Sequence, residues 1–147
     1  MTDNDEFAKT VAVGMYAIDN AARAWGVTIE EIRPHYARAA MAVRDDMLNS
    51  HGVCHGGMIF ALADTAFAYA SNSENRATLA VSCTISFASS ALAGAELTAV
   101  AQVQSRGGRT GICDVTVTDD KGNVIALFRG NSYRVRGESV PGLSKGD

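Results

Sequence analysis

Residues 57–71 read GMIFALADTAFAYAS, and this stretch decides the fold. Apolar residues occupy nearly every face of the helix that it predicts, so the helix must be enclosed on all sides. Asp64 is the only acidic or basic side chain between His55 and Glu74. A helix of this kind needs a protein shell around it, and the flanking sequence shows what that shell is.

Alternating apolar and polar residues predict strands on both sides of the helix. Two strands lie before it, near residues 27–32 and 35–44, and a meander of four follows between Leu79 and Arg136. A single sheet can enclose a helix only by curling around it. The sequence therefore predicts an α+β fold of the hotdog type, in which an antiparallel sheet wraps around a central helix.

The chain of 147 residues has the size of one domain. We predict a single domain over residues 1–137, which begins with a helix over 4–25. We also predict a flexible tail over 138–147, where Gly, Ser and Pro mix with charge.

Charge and composition exclude several classes of protein. The net charge of −3 argues against binding to nucleic acid or to an anionic membrane surface. The most apolar run, residues 56–70, contains Asp64 and is shorter than the ~20 residues that cross a bilayer. The acidic N-terminus is unlike a signal peptide, and three cysteines without framework spacing favour reduced thiols in the cytoplasm.

Asp64 is the strongest candidate for chemistry. Its apolar neighbours on the helix would desolvate the carboxylate and raise its pKa. A carboxylate in such a position is a candidate general base or nucleophile. The structural alternative is that Asp64 caps a loop or pairs with an arginine.

His55, Gly56 and Gly57 lie where the helix begins, and first-turn amides can stabilise a developing oxyanion. The alternative is a plain helix N-terminus. Gly56 and Asp64 are eight residues apart, which is ~12 Å along one helix. Reacting groups must come within ~3–3.5 Å, so two groups that act on one carbonyl must come from two subunits of a dimer.

Other polar clusters give weaker signals. His51, Cys54 and His55 offer atoms that zinc accepts, but their spacing fits no zinc motif and a fourth ligand is missing, so we predict no metal. A Cys54 nucleophile has no specific support. Arg106 and Arg109 flank a glycine turn that could bind phosphate, although an ordinary hairpin explains it equally well.

Two longer motifs resemble a known family. Residues 49–57 (NSHGVCHGG), followed by residues 62–72 (LADTAFAYASN), resemble the hotdog-fold acyl-CoA thioesterases of the phenylacetic acid degradation (PaaI-type) group. Residues 124–130 (VIALFRG) resemble it too, and the resemblance covers roughly residues 10–136. It implies hydrolysis of small aryl-acyl or aryl-acetyl-CoA thioesters, such as phenylacetyl-CoA, to the free acid and CoA.

The resemblance also implies roles for single residues. Asp64 matches the catalytic carboxylate, Gly56 the amide that polarises the thioester carbonyl, and His55 and Asn49 the groups that orient the site. The expected substrate contacts are Gly57, Thr65, Arg106, Arg109 and Arg129. The three arginines and Arg134 are the candidates for contact with the CoA phosphates.

The family uses no metal or prosthetic group, because CoA is part of the substrate, and its dimers share active sites and usually pair into tetramers. Relatives often carry Arg-Pro after the third strand, whereas this chain reads Phe87-Ala88-Ser89. This departure implies a looser loop and the loss of a basic contact to CoA.

Two other functions are compatible with the same fold. A hydratase or dehydratase would need a general acid–base pair, often a histidine with a carboxylate, and the central helix has none. A non-catalytic hotdog protein that only binds acyl-CoA would use the aromatic residues of the helix as a pocket lining.

Overall fold

The computed structural model describes residues 2–143. Two helices and two strands precede the central helix α3, and four strands follow it. The elements are α1 (Asp3–Ile18), α2 (Asn20–Ala24), β1 (Thr28–Arg33), β2 (Tyr36–Ala42), α3 (Gly56–Ser71), β3 (Thr78–Phe87), β4 (Glu96–Gly107), β5 (Thr110–Thr118) and β6 (Val124–Arg134). No helix in this part of the chain is long and apolar enough to cross a membrane.

The six strands form one antiparallel sheet in the order β1-β2-β4-β5-β6-β3. The prediction of a simple four-strand meander is wrong for β3, which pairs with β6 and not with β4. After β3, the chain passes the loop that precedes α3, where Cys54 N donates to Ala91 O at 2.8 Å. It then enters β4 between β2 and β5, and β3 remains at the edge of the sheet.

The sheet encloses α3, as the apolar sequence of this helix predicts. Leu62, Ala63 and Ala66 are fully buried. The ring of Phe67 packs on that of Phe128 with centroids 5.8 Å apart. Burying a side chain such as Leu62 stabilises a fold by about 1.5–3 kcal/mol. The predicted α+β hotdog fold is confirmed.

The helix predicted over residues 4–25 is two helices, because the chain breaks at Asp19. The Asp19 carboxylate caps α2 by accepting a hydrogen bond from Ala22 N at 3.1 Å. The same carboxylate accepts the hydroxyl proton of Tyr69 at 3.1 Å, and Tyr69 is a buried residue of α3. This break therefore ties the N-terminal segment to the central helix.

The region predicted as a flexible tail, 138–147, makes ordered contacts over its first part. The amide nitrogen of Asn75 donates to the Glu138 carboxylate at 3.0 Å, and the Val140 N–H donates to the Asn75 amide oxygen at 2.7 Å. Val140 also packs against Gly14 of α1. Residues 138–143 thus lie across the C-terminal end of α3, and residues 144–147 lie outside the described residues.

Candidate active site

The start of α3 is organised by His55, its N-cap residue. His55 N donates to Met47 O at 2.7 Å, which fixes the loop. The Nδ1 atom of His55 accepts a hydrogen bond from Gly57 N at 2.9 Å, so Nδ1 carries no proton in this arrangement. The N–H groups of Met58 and Ile59 both donate to His55 O.

Gly56 is the first residue of α3, and its N–H has no hydrogen-bond acceptor within residues 2–143. An unused N–H at the positive end of a helix dipole is suited to bind a developing oxyanion. The neighbouring N–H of Gly57 is already used by His55. The geometry therefore favours Gly56, and not Gly57, as the donor to a substrate oxygen.

Asn49 shapes the loop that leads to this helix. Its side-chain oxygen accepts hydrogen bonds from His51 N at 2.9 Å and Val53 N at 3.3 Å. Its backbone N–H donates to Val53 O at 2.8 Å. In the single chain Asn49 thus acts on the conformation of the loop before His55.

Asp64 lies in the middle of α3 and is half-buried. Its carboxylate has no hydrogen bond or ion pair within the described part of the chain, so a loop cap or a pairing with arginine is not present there. Burial raises the pKa of the Asp64 carboxyl. Burial also raises the pKa of the nearby Cys83 thiol, and the charge of Asp64 adds to this effect. Asp64 is therefore an unpartnered carboxylate of increased basicity.

Phe87, the last residue of β3, lies against Gly56. A Cβ placed on Gly56 would be 3.0 Å from Cζ of the Phe87 ring, and Phe87 is 51% exposed. From Cys83 to Phe87 the strand rises ~13 Å, and from Asp64 to Gly56 the helix rises ~12 Å. The two elements therefore run alongside each other in opposite directions, with Phe87 against Gly56 and Cys83 within electrostatic range of Asp64.

Each chain consequently carries two groups of candidate residues at opposite ends of this stretch. We call Asp64 with the nearby Cys83 the acid half-site, and Gly56 with Phe87 the amide half-site. The sequence alone does not mark Cys83 or Phe87 as site residues. Their alternation along β3 places both on one face of the strand, but nothing in the sequence shows which part of the helix they lie beside.

Thr65 was expected to contact the substrate, yet it is a buried residue of α3. Its hydroxyl donates to Ala61 O at 2.7 Å, one turn earlier in the same helix. The hydroxyl proton is therefore already used within α3.

Arg106 and Arg109 line a cavity between the C-terminal end of α3 and the β4–β5 hairpin, and Arg76 and Arg134 line it too. Arg106 donates to the Glu74 carboxylate at 2.9 Å. The side chains of Arg76 and Arg134 make no ion pair with any residue in the range 2–143. This group, the arginine cavity, has an excess of positive charge and suits a phosphate.

Arg129 lies elsewhere. Its guanidinium donates twice to the Asp114 carboxylate of the neighbouring strand, at 2.6 and 2.8 Å. This pair lowers the pKa of Asp114, chiefly through the hydrogen bond. The structure therefore separates Arg129 from the arginine cavity and gives it a carboxylate partner.

The cluster of His51, Cys54 and His55 does not form a metal site. Cys54 is buried and His51 is exposed. In residues 2–143, no three His, Cys, Asp or Glu side chains come together in a way that could hold a metal ion. Burial raises the pKa of the Cys54 thiol, which disfavours a thiolate nucleophile there.

The chain is similar to known proteins of one family. The sequence pattern described as "Thioesterase superfamily" matches residues 51–126. An acyl-coenzyme A thioesterase, PaaI of Escherichia coli (strain K12), is 45% identical over 126 residues, which are 86% of this chain and 90% of that protein. A putative esterase of Archaeoglobus fulgidus is 37% identical over 127 residues, 86% of this chain and 82% of its own.

The fold agrees with a solved structure. The E. coli PaaI protein from the phenylacetic acid degradation operon superimposes with a TM-score of 0.91 at 43% sequence identity. The match covers 92% of this chain and 99% of the E. coli chain.

Proposed function

The chain belongs to the thioesterase superfamily, in its PaaI-type group, and is an acyl-CoA thioester hydrolase; from this premise we propose that its substrates are small aryl-acyl and aryl-acetyl thioesters, phenylacetyl-CoA above all. The products are the free acid and CoA. One observation carries the catalytic part of the proposal. Among the residues that the structure describes, the Asp64 carboxylate of helix α3 has no partner and the Gly56 N–H of the same helix has no acceptor.

The two groups suit the two demands of thioester hydrolysis. The Gly56 N–H donates to the carbonyl oxygen, which gains negative charge as the carbonyl carbon is attacked. The Asp64 carboxylate either attacks this carbon itself or takes a proton from the attacking water. In the general-base route, the water oxygen forms the C–O bond as Asp64 takes its proton, the C–S bond breaks, and the CoA thiolate leaves with the electron pair and receives that proton. In the nucleophilic route, Asp64 forms the C–O bond and expels the thiolate, and a water then cleaves the resulting acyl–Asp64 anhydride, which releases the free acid, restores the carboxylate and supplies the proton to CoA.

A complete site needs two subunits in this proposal. Gly56 and Asp64 are separated by ~12 Å along α3, so one chain cannot bring both to one carbonyl. The strand β3 has a free edge and exposes Leu79 (58%) and Val81 (65%). A second copy that pairs with this edge around a two-fold axis would bring the acid half-site of one chain to the amide half-site of the other.

The proposed assembly is therefore a homodimer with two shared sites, and two such dimers can pair into a tetramer. The exposed side chains of Leu127 and Tyr133 on β6 support the second contact, because they provide apolar area that a monomer leaves in water.

The arginine cavity is the proposed site for the phosphates of CoA. It lies at the C-terminal end of α3, and Asp64 is ~10 Å from Ser71 along the helix axis. The flexible pantetheine arm of CoA separates the thioester from the phosphates, so the two groups must bind apart. Arg76 and Arg134 have no ion-pair partner within the described residues and are available for this contact.

The proposed reaction uses no metal and no prosthetic group of its own. The carboxylate supplies the attacking electron pair or accepts the proton, and the helix N-terminus stabilises the negative oxygen. We also place the enzyme in the cytoplasm, where the free state of Cys54, Cys83 and Cys113 is expected.

Release of free CoA tests the proposal directly. A thiol reagent would report turnover of phenylacetyl-CoA, its ring-hydroxylated forms, hexanoyl-CoA and acetyl-CoA, with and without a metal chelator. We expect the highest kcat/KM on an aryl thioester and no effect of the chelator. Binding of these esters without turnover of any of them would instead support the non-catalytic binding protein.

A further inference from the structure

We propose that Phe87 gives the enzyme its preference for aromatic acyl groups by offering a face of its ring to the ring of the substrate. This inference rests on the proposed function, because it concerns the acyl side of the same shared site. It assigns a specificity role to a residue that neither attacks nor polarises the thioester.

The orientation of the Phe87 ring is the first support. The three ring atoms nearest to a Cβ on Gly56 are Cζ, Cε1 and Cε2, at 3.0, 3.4 and 3.5 Å. These atoms form the far tip of the ring, so the ring touches the helix with its tip and not with a face. Phe87 is 51% exposed in the single chain, so its own chain leaves part of the ring surface uncovered.

The other rings near α3 are used differently. Phe60 packs edge-on against Phe128 with centroids 5.4 Å apart, and Phe67 packs on Phe128 as well. Phe67 and Phe128 are buried in the core. These rings fill the interior, whereas Phe87 lies at the surface beside Gly56.

The position of the carbonyl brings the acyl group to this ring. An oxygen that accepts from the Gly56 N–H lies ~2.9 Å from the nitrogen, and the nitrogen lies ~1.46 Å from the Cα that the ring covers. In phenylacetyl-CoA one methylene separates the carbonyl from the ring. Aromatic rings attract each other at centroid distances of ~4.5–7 Å, which this arrangement permits.

The inward face of β3 supports the same assignment. It presents Cys83, Ile85 and Phe87, and the first two are only partly exposed. The opposite face carries Ser82, Thr84 and Ser86. The acyl group thus meets an apolar strand face on which Phe87 is the aromatic residue.

A matched pair of substrates isolates the effect of the ring. Phenylacetyl-CoA and cyclohexylacetyl-CoA have the same number of carbons and the same linkage, but only the first is aromatic. We expect the wild-type enzyme to prefer the phenyl substrate in kcat/KM. In Phe87→Leu this preference should fall about 3- to 10-fold, the loss expected for one aromatic pair.

Two control variants define the cause. Phe87→Tyr keeps the ring and should keep the preference. Leu127→Ala changes a side chain that is also 51% exposed but lies on β6, opposite Ser86, and should leave the preference unchanged. Circular dichroism shows whether each variant is folded, and Phe87→Ile replaces Phe87→Leu if that variant does not fold.

The outcomes separate this inference from the proposed function. If Phe87→Leu loses kcat/KM equally on both substrates, the ring only supports the fold and the inference is wrong. If the wild-type enzyme shows no preference for the phenyl substrate, the inference is also wrong, whatever the variants show. If the wild-type enzyme hydrolyses neither substrate, the proposed function itself is wrong.

Discussion

The N–H of Gly57 donates to Nδ1 of His55 at 2.9 Å, whereas the neighbouring N–H of Gly56, at the start of α3, has no acceptor in residues 2–143. The two adjacent glycine N–H groups thus differ in function. The Gly57 N–H holds the imidazole of His55, and the Gly56 N–H is available to a ligand. The imidazole also fixes the turn at which the helix begins, so the direction of the Gly56 N–H depends on His55.

We expect Gly56→Pro to lower kcat about 10²–10³-fold, because it removes the proposed oxyanion donor. Proline is well tolerated at the first position of a helix, and His55, with φ −60° and ψ 135°, already has the backbone that proline requires of the preceding residue. Gly56→Ala is the matched control, since its Cβ meets the Phe87 ring in the same way but its N–H remains. Equal losses in the two variants would exclude the N–H as the cause.

Asp64→Asn should lower kcat about 10²–10⁴-fold and leave binding of acyl-CoA intact, because asparagine has nearly the same shape but is not a base. Free-CoA release measures the rate, and calorimetry with a non-hydrolysable thioether analogue measures binding. A variant with more than half of the wild-type kcat would contradict the role of Asp64.

The same substitution should increase thermal stability at neutral pH. Burial raises the pKa of Asp64 in the folded protein, so the ionised form is less favourable there than in the unfolded chain. The stability that the protonated form contributes is complete below the unfolded pKa and is lost as the pH rises through the folded one. The Tm of Asp64→Asn should therefore exceed that of the wild type at pH 7, and the difference should shrink as the pH falls toward 4.

The pH dependence of kcat/KM should show one acidic limb. Asp64 must be ionised to act, and its pKa is raised above the ordinary value of 3.8, so activity falls with the pH through a midpoint above 3.8. The slope should correspond to one proton. The residual activity of Asp64→Asn should lack this acidic limb. If the limb is still present in this variant, a group other than Asp64 causes it.

Mixed dimers test the shared site. When Asp64→Asn and Gly56→Pro chains carry different tags, a purified heterodimer has one site with both substitutions and one site with neither. It should recover up to about half of the wild-type activity. Heterodimers as inactive as both parents would contradict the shared site, once native mass spectrometry shows that they contain one chain of each kind.

The arginine cavity should act on binding and not on chemistry. Arg76→Gln and Arg134→Gln should each raise KM for phenylacetyl-CoA about 3- to 10-fold with little change in kcat, because each removes a charged contact to phosphate. Neither should affect phenylacetyl-pantetheine, which lacks the nucleotide. Arg129→Gln is the control, since the Arg129 side chain pairs with Asp114. If Arg129→Gln raises KM more than Arg76→Gln and Arg134→Gln do, the phosphates bind near Arg129 on β6 and not in the arginine cavity.

The elements and the chemistry of single residues follow from local sequence. The apolar residues of α3 predict an enclosed helix, and the isolation of Asp64 in it predicts a carboxylate of raised pKa. The edge position of β3 could not be predicted, because strand order depends on how residues 88–95 pass the loop before α3. The choice of Gly56 over Gly57 likewise depends on where the His55 ring lies, which no spacing in the sequence specifies.

The open edge of β3 also affects a newly synthesised chain before the proposed shared sites are assembled. Within residues 2–143 the outer edge of β3, beside Leu79 and Val81, pairs with no other strand, and such an edge is a template for pairing with another chain, so in the proposed assembly the second copy competes with aggregation for the same contact. A substitution that slows this proposed pairing would therefore reduce the soluble yield in the cell first. Proposed dimers that still form would turn over substrate at the normal rate, and purification alone would hide the defect.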